Sequence, residues 1–187
     1  MKKEVEKILQ YVQKPARYVG GELNSVVKDA SKIDIRYAFC FPDLYEIGMS
    51  HLGMKILYSL VNDREDSWCE RVFAPDADME EQMRKNNIPL FALESGDYIK
   101  DFDMIGFTMY ELCYTNVLNM LDLAKIPLKA KDRTDLTPII CCGGPCTCNP
   151  EPITDFVDIV FLGDGEENTV ELIDLLKECK AMKSSVQ

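Results

Sequence analysis

The 187-residue sequence has one histidine, carries 21 basic against 32 acidic residues, and contains no apolar run long enough to cross a bilayer. A lone histidine, His51, rules out a histidine-rich zinc centre, and neither His-Glu-x-x-His nor a Ser-His-Asp arrangement is present. The net charge of -11 gives no footing for nucleic acid or an anionic membrane, both of which need clustered Lys and Arg. The opening MKKEVEKILQYV, which sets Val5, Ile8, Leu9 and Val12 at helical spacing among charges, is expected to be an amphipathic helix and not a secretory leader. The expectation is a cytoplasmic protein. Phosphate-cradling glycine patterns are missing as well: neither Gly-x-Gly-x-x-Gly after the first strand nor Gly-x-x-x-x-Gly-Lys-Ser/Thr occurs.

What is present describes a folded domain, with 47% hydrophobic and 28% charged residues in a chain long enough to bury a sizeable core. Without a secretory signal, the eight cysteines do not read as a disulfide framework. Cys40, Cys69, Cys113 and Cys179 are expected to be small buried hydrophobes. Cys141, Cys142, Cys146 and Cys148 cluster, and thiolates so close are candidate ligands for zinc or an iron-sulfur centre, or a redox pair. No Cys-x-x-Cys pair occurs, however, and adjacent strand residues point to opposite faces. Cys142, Cys146 and Cys148 fall within one residue of a Cys-x-x-x-Cys-x-x-Cys run whose third position is Asn149, so they form a secondary metal alternative to a structural role.

The hydrophobic pattern alternates strands with helices. Residues 35–41 read as a buried strand, 42–48 as a polar loop, and the following segment as a helix with Met49, Leu52, Ile56, Leu57, Leu60 and Val61 on its inward face. Residues 68–74 make a second strand and 76–86 a helix with acidic residues in its first turns. Residues 89–93 are an edge strand or a packed loop, and 103–109 a third strand. The helix after it buries Cys113, Val117, Met120, Leu121 and Ala124. A fourth strand ends over 139–142, residues 158–162 form a fifth, and a final helix turns Val170, Ile173 and Leu176 inward. This rhythm predicts an α/β, flavodoxin-like, doubly wound parallel sheet of five strands in the order 2-1-3-4-5. The domain is placed at residues 31–182, with an N-terminal helical arm over 1–30 that packs on it or on a neighbour, and a short tail over 183–187.

In that topology ligands bind at the carboxyl edge of the strands, where Asp43, Glu46, Gly48, Gly143, Gly144, Gly163 and Gly165 gather. Glycine admits close approach of a ligand to the main chain, although strand-to-helix turns use it anyway. His51 reads as an exposed or loop-capping residue, with acid-base or axial-ligand chemistry as the alternative.

The segments RYVGGELNSVVKD, FCFPDLYEIGMSHLGMKILY, ERVFAP, DMIGFTMYELCYTNVLNMLDLA, CGGPCTCNPEP and FLGDGEE together resemble the cobalamin-binding-type domain placed N-terminal to radical S-adenosylmethionine (SAM) enzymes, most closely that of an uncharacterised bacterial group. Cobalamin domains of this type carry Asp-x-His-x-x-Gly after the first strand, Ser-x-Leu after the third and Gly-Gly after the fourth. Here Asp43 to Gly48 fits the first frame with Tyr45 at the histidine position, Thr108 to Tyr110 stands in the second, Gly143-Gly144 matches the third, and Gly163 to Glu167 is similar to a Gly-Glu-Gly-Glu turn.

The resemblance implies a crevice formed by Asp43, Tyr45, Gly48, His51, Thr108, Tyr110, Gly143, Gly144, Gly163, Gly165 and Glu166. It further implies a partner domain downstream that holds 4Fe-4S and SAM, and no independent activity for this chain. With tyrosine in place of histidine, three readings stay open: cobalamin held without a histidine ligand, another small ligand, or a docking module with no cofactor. Self-association of the fragment into a homodimer is the alternative partnership.

Overall fold

In the computed structural model, residues 2–134 and 138–185 are described. Five parallel strands, β1 (Ile35–Phe41), β2 (Ser67–Phe73), β3 (Met104–Thr108), β4 (Ile139–Gly143) and β5 (Ile159–Val160), stand in the order β2-β1-β3-β4-β5. This is the expected flavodoxin-like order. Among the described residues six α-helices accompany them, besides short 3-10 turns: α1 (Lys3–Ile8), a single turn α2 (Tyr45–Gly48), α3 (Leu52–Asn62), α4 (Ala77–Asn86), α5 (Tyr114–Leu123) and α6 (Gly165–Ser185).

Strand alternation sorts the core into two layers. Ala38, Cys40, Val72, Ile105, Ile140 and Cys142 face Met79 and Met83 of α4 and Val117, Met120 and Leu121 of α5. Val5, Ile8 and Val12 join this layer, so the N-terminal helix packs on the domain itself. On the other face, Ile35, Tyr37, Phe39, Phe41, Cys69 and Cys141 meet Met54, Tyr58 and Val61 of α3 and Leu172 and Ile173 of α6.

The N-terminal segment continues as a strap over this second layer. Lys28 Nζ donates to the carbonyls of Asn62, Arg64 and Ser67 at 2.5 to 2.8 Å, and Tyr58 Oη and Trp68 Nε1 bond the amide and carbonyl of Val26. The edge strand β2 is closed by residues 93–95: Leu93 N–H donates to Arg71 O, and the buried Glu94 carboxylate takes both the Arg71 amide (2.7 Å) and its guanidinium (2.6 Å). Buried Glu70 likewise pairs with Arg36 and accepts from the Ser95 amide. An edge so occupied offers no free ladder to another chain.

Several expectations are corrected. The inward face of α3 is Met54, Tyr58, Val61 and Asn62, while Leu52 and Ile56 are exposed and Met49, Leu57 and Leu60 are half-buried. The helix starts only at Leu52, after a separate turn, and Asn62 is drawn inside because its amide bonds the Cys69 backbone in both directions at 3.0 Å. Residues 42–48 are thus not all loop. Cys179 is exposed, whereas Cys40, Cys69 and Cys113 are buried. The fifth strand shrinks to two residues, and the second begins one residue early. Residues 89–93 are a packed segment with a single bridge, Phe91 to Tyr98. α6 runs on to Ser185, through most of the expected tail, and residues 186–187 lie outside the described residues.

Candidate ligand-binding slot

A slot of about 320 Å³ lies between the sheet and helices α3 and α6 and opens at the carboxyl edge of the strands. Its floor is Tyr37 and Phe39 of β1, Gly106 of β3 and Cys141 of β4; Gly53 and Leu57 of α3 and Thr169 of α6 form the opposite wall. The Tyr37 and Phe39 rings stack with centroids 5.5 Å apart. Gly106 is what lets Tyr37 lie across the sheet: a β-carbon there would sit 2.8 Å from Cε2 and 2.9 Å from Cζ of Tyr37, and closer still to its hydroxyl.

Tyr37 is only 3% exposed, yet its hydroxyl has no hydrogen-bond partner among the described residues. Burial pushes its phenol well above the ordinary range, so the group stays a protonated donor. The hydroxyl opens into the slot and offers it an uncommitted donor.

The mouth is spanned by His51 and Tyr110. His51 caps α3: its Nδ1 accepts from the Met54 amide at 3.1 Å, which places the proton on Nε2, where it is donated to Tyr110 Oη. Partial burial lowers the His51 pKa and keeps the ring neutral. The two rings meet edge to face with centroids 5.6 Å apart, and Phe41 packs on both. Both ring nitrogens of His51 are therefore committed, and neither is free to ligate a metal.

Thr108, Gly143, Gly144, Gly163, Gly165 and Glu166 line the same slot. At Gly144, φ is +109° and a β-carbon would sit 3.0 Å from the amide and carbonyl of Met109 and 3.3 Å from Thr108 Oγ1, so the turn after β4 can close against β3 only as glycine.

Three expected crevice residues are elsewhere. Tyr45 turns away: its hydroxyl donates to Glu22 Oε1 at 3.1 Å and its ring packs edge-on against Phe73 at 5.4 Å. Gly48 lies beneath Phe73, whose Cδ1 a β-carbon would meet at 2.5 Å, and lines a separate groove beside the strap. Asp43 lies in a shallower groove outside the clasp, its Oδ1 accepting from the Leu44 amide at 2.7 Å.

Cys142 lines the slot, while Cys146 and Cys148 line the outer groove. Among the described residues no three His, Cys, Asp or Glu side chains gather in a way that could hold a metal ion. Sequence reasoning missed Tyr37, Phe39, Gly106 and Thr169. The available signal was a glycine among bulky neighbours in a buried strand, which marks a close approach.

A family model described as radical SAM proteins, N-terminal, matches residues 53–187. An uncharacterised protein of Methanocaldococcus jannaschii is 28% identical over 137 residues, 72% of this chain and 25% of that protein, so the chain spans about a quarter of the relative's length. No solved structure matches. The family match takes in strands β2 to β5, helices α3 to α6 and every wall of the slot except β1 and His51, and the chain belongs to the N-terminal domains of radical SAM proteins.

Proposed function

We propose that this domain holds a small ligand in the slot between the sheet and helices α3 and α6 and presents it to a catalytic domain that follows in the full-length protein. The observation that carries this reading is the Tyr37 hydroxyl, on a buried residue, without a partner among the described residues, and open to a cavity lined by rings and glycines together with Leu57, two threonines and, at the mouth, Asp164 and Glu166. Such a lining suits a flat heteroaromatic ring whose inner edge accepts a hydrogen bond. Gly143 and Gly144 leave room for its linking chain at the mouth, and Thr108 supplies a further hydroxyl.

Among cofactors of that shape, cobalamin with its nucleotide tail in the slot is the finer form of the proposal. The residues fit the tail and not the cobalt: Tyr45 faces Glu22 and Phe73, and His51 has both nitrogens engaged. A corrin held here would therefore receive no histidine from this chain. When bound, cobalamin supplies an alkyl-carrying cobalt centre. The chain's own part is to bury the tail behind the clasp, donate from Tyr37 and exclude water. In this reading 4Fe-4S and SAM belong to the following domain, this chain has no activity alone, and the protein works in the cytoplasm.

A second reading, a docking module without a cofactor, is favoured by the Tyr110–His51 clasp, which already occupies the mouth. Thermal unfolding with and without hydroxocobalamin separates the two, since a ligand that binds only the folded state raises its stability by RT ln(1 + [L]/Kd). A saturable rise in Tm supports the ligand reading, and no rise at millimolar cofactor supports the docking module.

A further inference from the structure

Outside the clasp lies a second concavity of about 1220 Å³, bordered by Phe41, Pro145, Cys146 and Pro152. Three large aliphatic side chains rim it: Leu112 is 91% exposed, Leu52 69% and Ile47 48%. They come from three separate segments, the turn α2, the start of α3 and the loop between β3 and α5. Isolated exposed leucines are ordinary, but several converging on one groove mark an interaction surface. His51 and Tyr110 line both this groove and the slot, so whatever covers the groove sits on the door of the ligand site.

We infer that the groove rimmed by Ile47, Leu52 and Leu112 is the seat of the polypeptide that follows residue 187 in the full-length protein; this rests on the reading above that a catalytic domain follows. The family is defined as N-terminal, and three quarters of the Methanocaldococcus jannaschii relative lies outside the matched region. Of the two candidate occupants, a second copy is disfavoured, because each copy carries a net charge of -11 and the groove contributes Asp43 and Glu111 with no basic residue. The complementary face is apolar at its centre, with lysine or arginine opposite those carboxylates.

The path of the chain is consistent with this. α6 begins at the mouth of the slot and runs back past the amino ends of the strands, where Lys177 reaches Asp34 and Asp66 and Lys180 reaches Asp103. The 21 residues of α6 carry the chain about 30 Å from the mouth of the slot, a span that roughly ten extended residues recover.

The test places the photo-crosslinking residue p-benzoylphenylalanine at position 112 of the full-length protein, with position 23 as control, since Leu23 is 98% exposed and lies outside this groove. Irradiation of mixed light and heavy isotope-labelled protein is followed by mass spectrometry. The expected result is attachment from position 112 to peptides beyond residue 187, light to light and heavy to heavy, at a yield unchanged by tenfold dilution and at least fivefold above position 23. Light-to-heavy attachment would identify a second copy as the occupant and overturn the inference, as would equal yields at the two positions. As an independent arm, Leu52→Asp with Leu112→Asp should speed proteolytic cutting between the two domains by about tenfold, and an unchanged rate in a folded variant counts against it. Hydroxocobalamin retention by the protein carrying the photo-crosslinking residue keeps the two readings apart: cofactor retained with the crosslink absent removes only the docking surface, whereas a crosslink found without retention removes only the ligand.

Discussion

Gly106→Ala is the substitution through which the slot's construction is most directly weighed. Alanine ordinarily stabilises an extended segment relative to glycine by about 0.5–1 kcal/mol, and Gly106 is not among the residues with positive φ, so no backbone penalty opposes the change. Sterics decide the sign. The new methyl carbon would lie 2.8 and 2.9 Å from Cε2 and Cζ of Tyr37, nearer than carbon atoms tolerate, and Tyr37 is fixed from its other side by Phe39. Overpacking of this kind costs about 1–3 kcal/mol, which at about 2–4 °C per kcal/mol for a chain of this size lowers Tm by roughly 2–12 °C. Removing the hydroxyl alone, as in Tyr37→Phe, leaves both ring contacts and should relieve only part of the loss. Tyr37→Leu withdraws the ring, so the double variant Gly106→Ala/Tyr37→Leu should be more stable than the sum of the single effects by at least about 1 kcal/mol. Urea unfolding of the four proteins measures that coupling. A Gly106→Ala protein at least as stable as the parent, or strictly additive effects, would refute the placement of Tyr37 over Gly106.

The strap is tied by one ammonium, so Lys28→Met should destabilise by about 1.5–3 kcal/mol and expose residues 19–28 to a protease about tenfold faster, read by limited proteolysis. Arg64, donating to both oxygens at 2.9 and 3.0 Å, and Lys177 at 2.7 Å hold the Asp66 carboxyl down to about 2, below an unfolded value of about 3.9. The folded carboxylate binds fewer protons in that interval, so its contribution is complete above pH 4 and is lost as pH falls toward 2, on the order of 1–2 kcal/mol after solvent screening. Asp66→Asn should flatten this acid limb in thermal scans, and an unchanged limb counts against the pairing. Thiol titration of the native protein should modify exposed Cys148 and Cys179 first. Cys40, Cys69, Cys141 and Cys142 should wait for unfolding, because burial shuts out the reagent and pushes the thiols up, Cys142 to about 11.

The strand order was legible because β1, β3 and β4 are short buried runs separated by helical periodicity, and crossover handedness leaves few ways to arrange them. The face of α3 was not. Leu52 and Ile56 match an inward stripe by hydrophobicity, but Asn62 wins the buried position by pairing with the Cys69 backbone, a tertiary effect absent from any periodicity. At the site, the glycines and the threonine of the carboxyl edge were readable as turn residues, and the structure gathers Thr108, Gly143, Gly144, Gly163 and Gly165 around one slot. Tyr45 shows the limit. Its frame position after β1 suggests the crevice, whereas a single helical turn rotates it toward Glu22, a residue of the strap that sequence spacing does not connect to it. Tyr37 was hidden for the opposite reason: an inward aromatic in a strand looks like core until the neighbouring strand is seen to carry, opposite Phe39, a glycine over which the Tyr37 ring lies.

The most direct measurement of the central claim is retention of hydroxocobalamin by the purified protein after gel filtration, with the visible spectrum recorded for the parent, Tyr37→Phe and Tyr45→His. The account predicts about one equivalent retained by the parent, affinity weakened about five- to tenfold in Tyr37→Phe by loss of one hydrogen bond, and a spectrum unchanged in Tyr45→His, because position 45 faces Glu22 and Phe73. No retention by any of the three while all remain folded would contradict cobalamin as the ligand, and a spectral shift confined to Tyr45→His would contradict the geometry assigned to the slot.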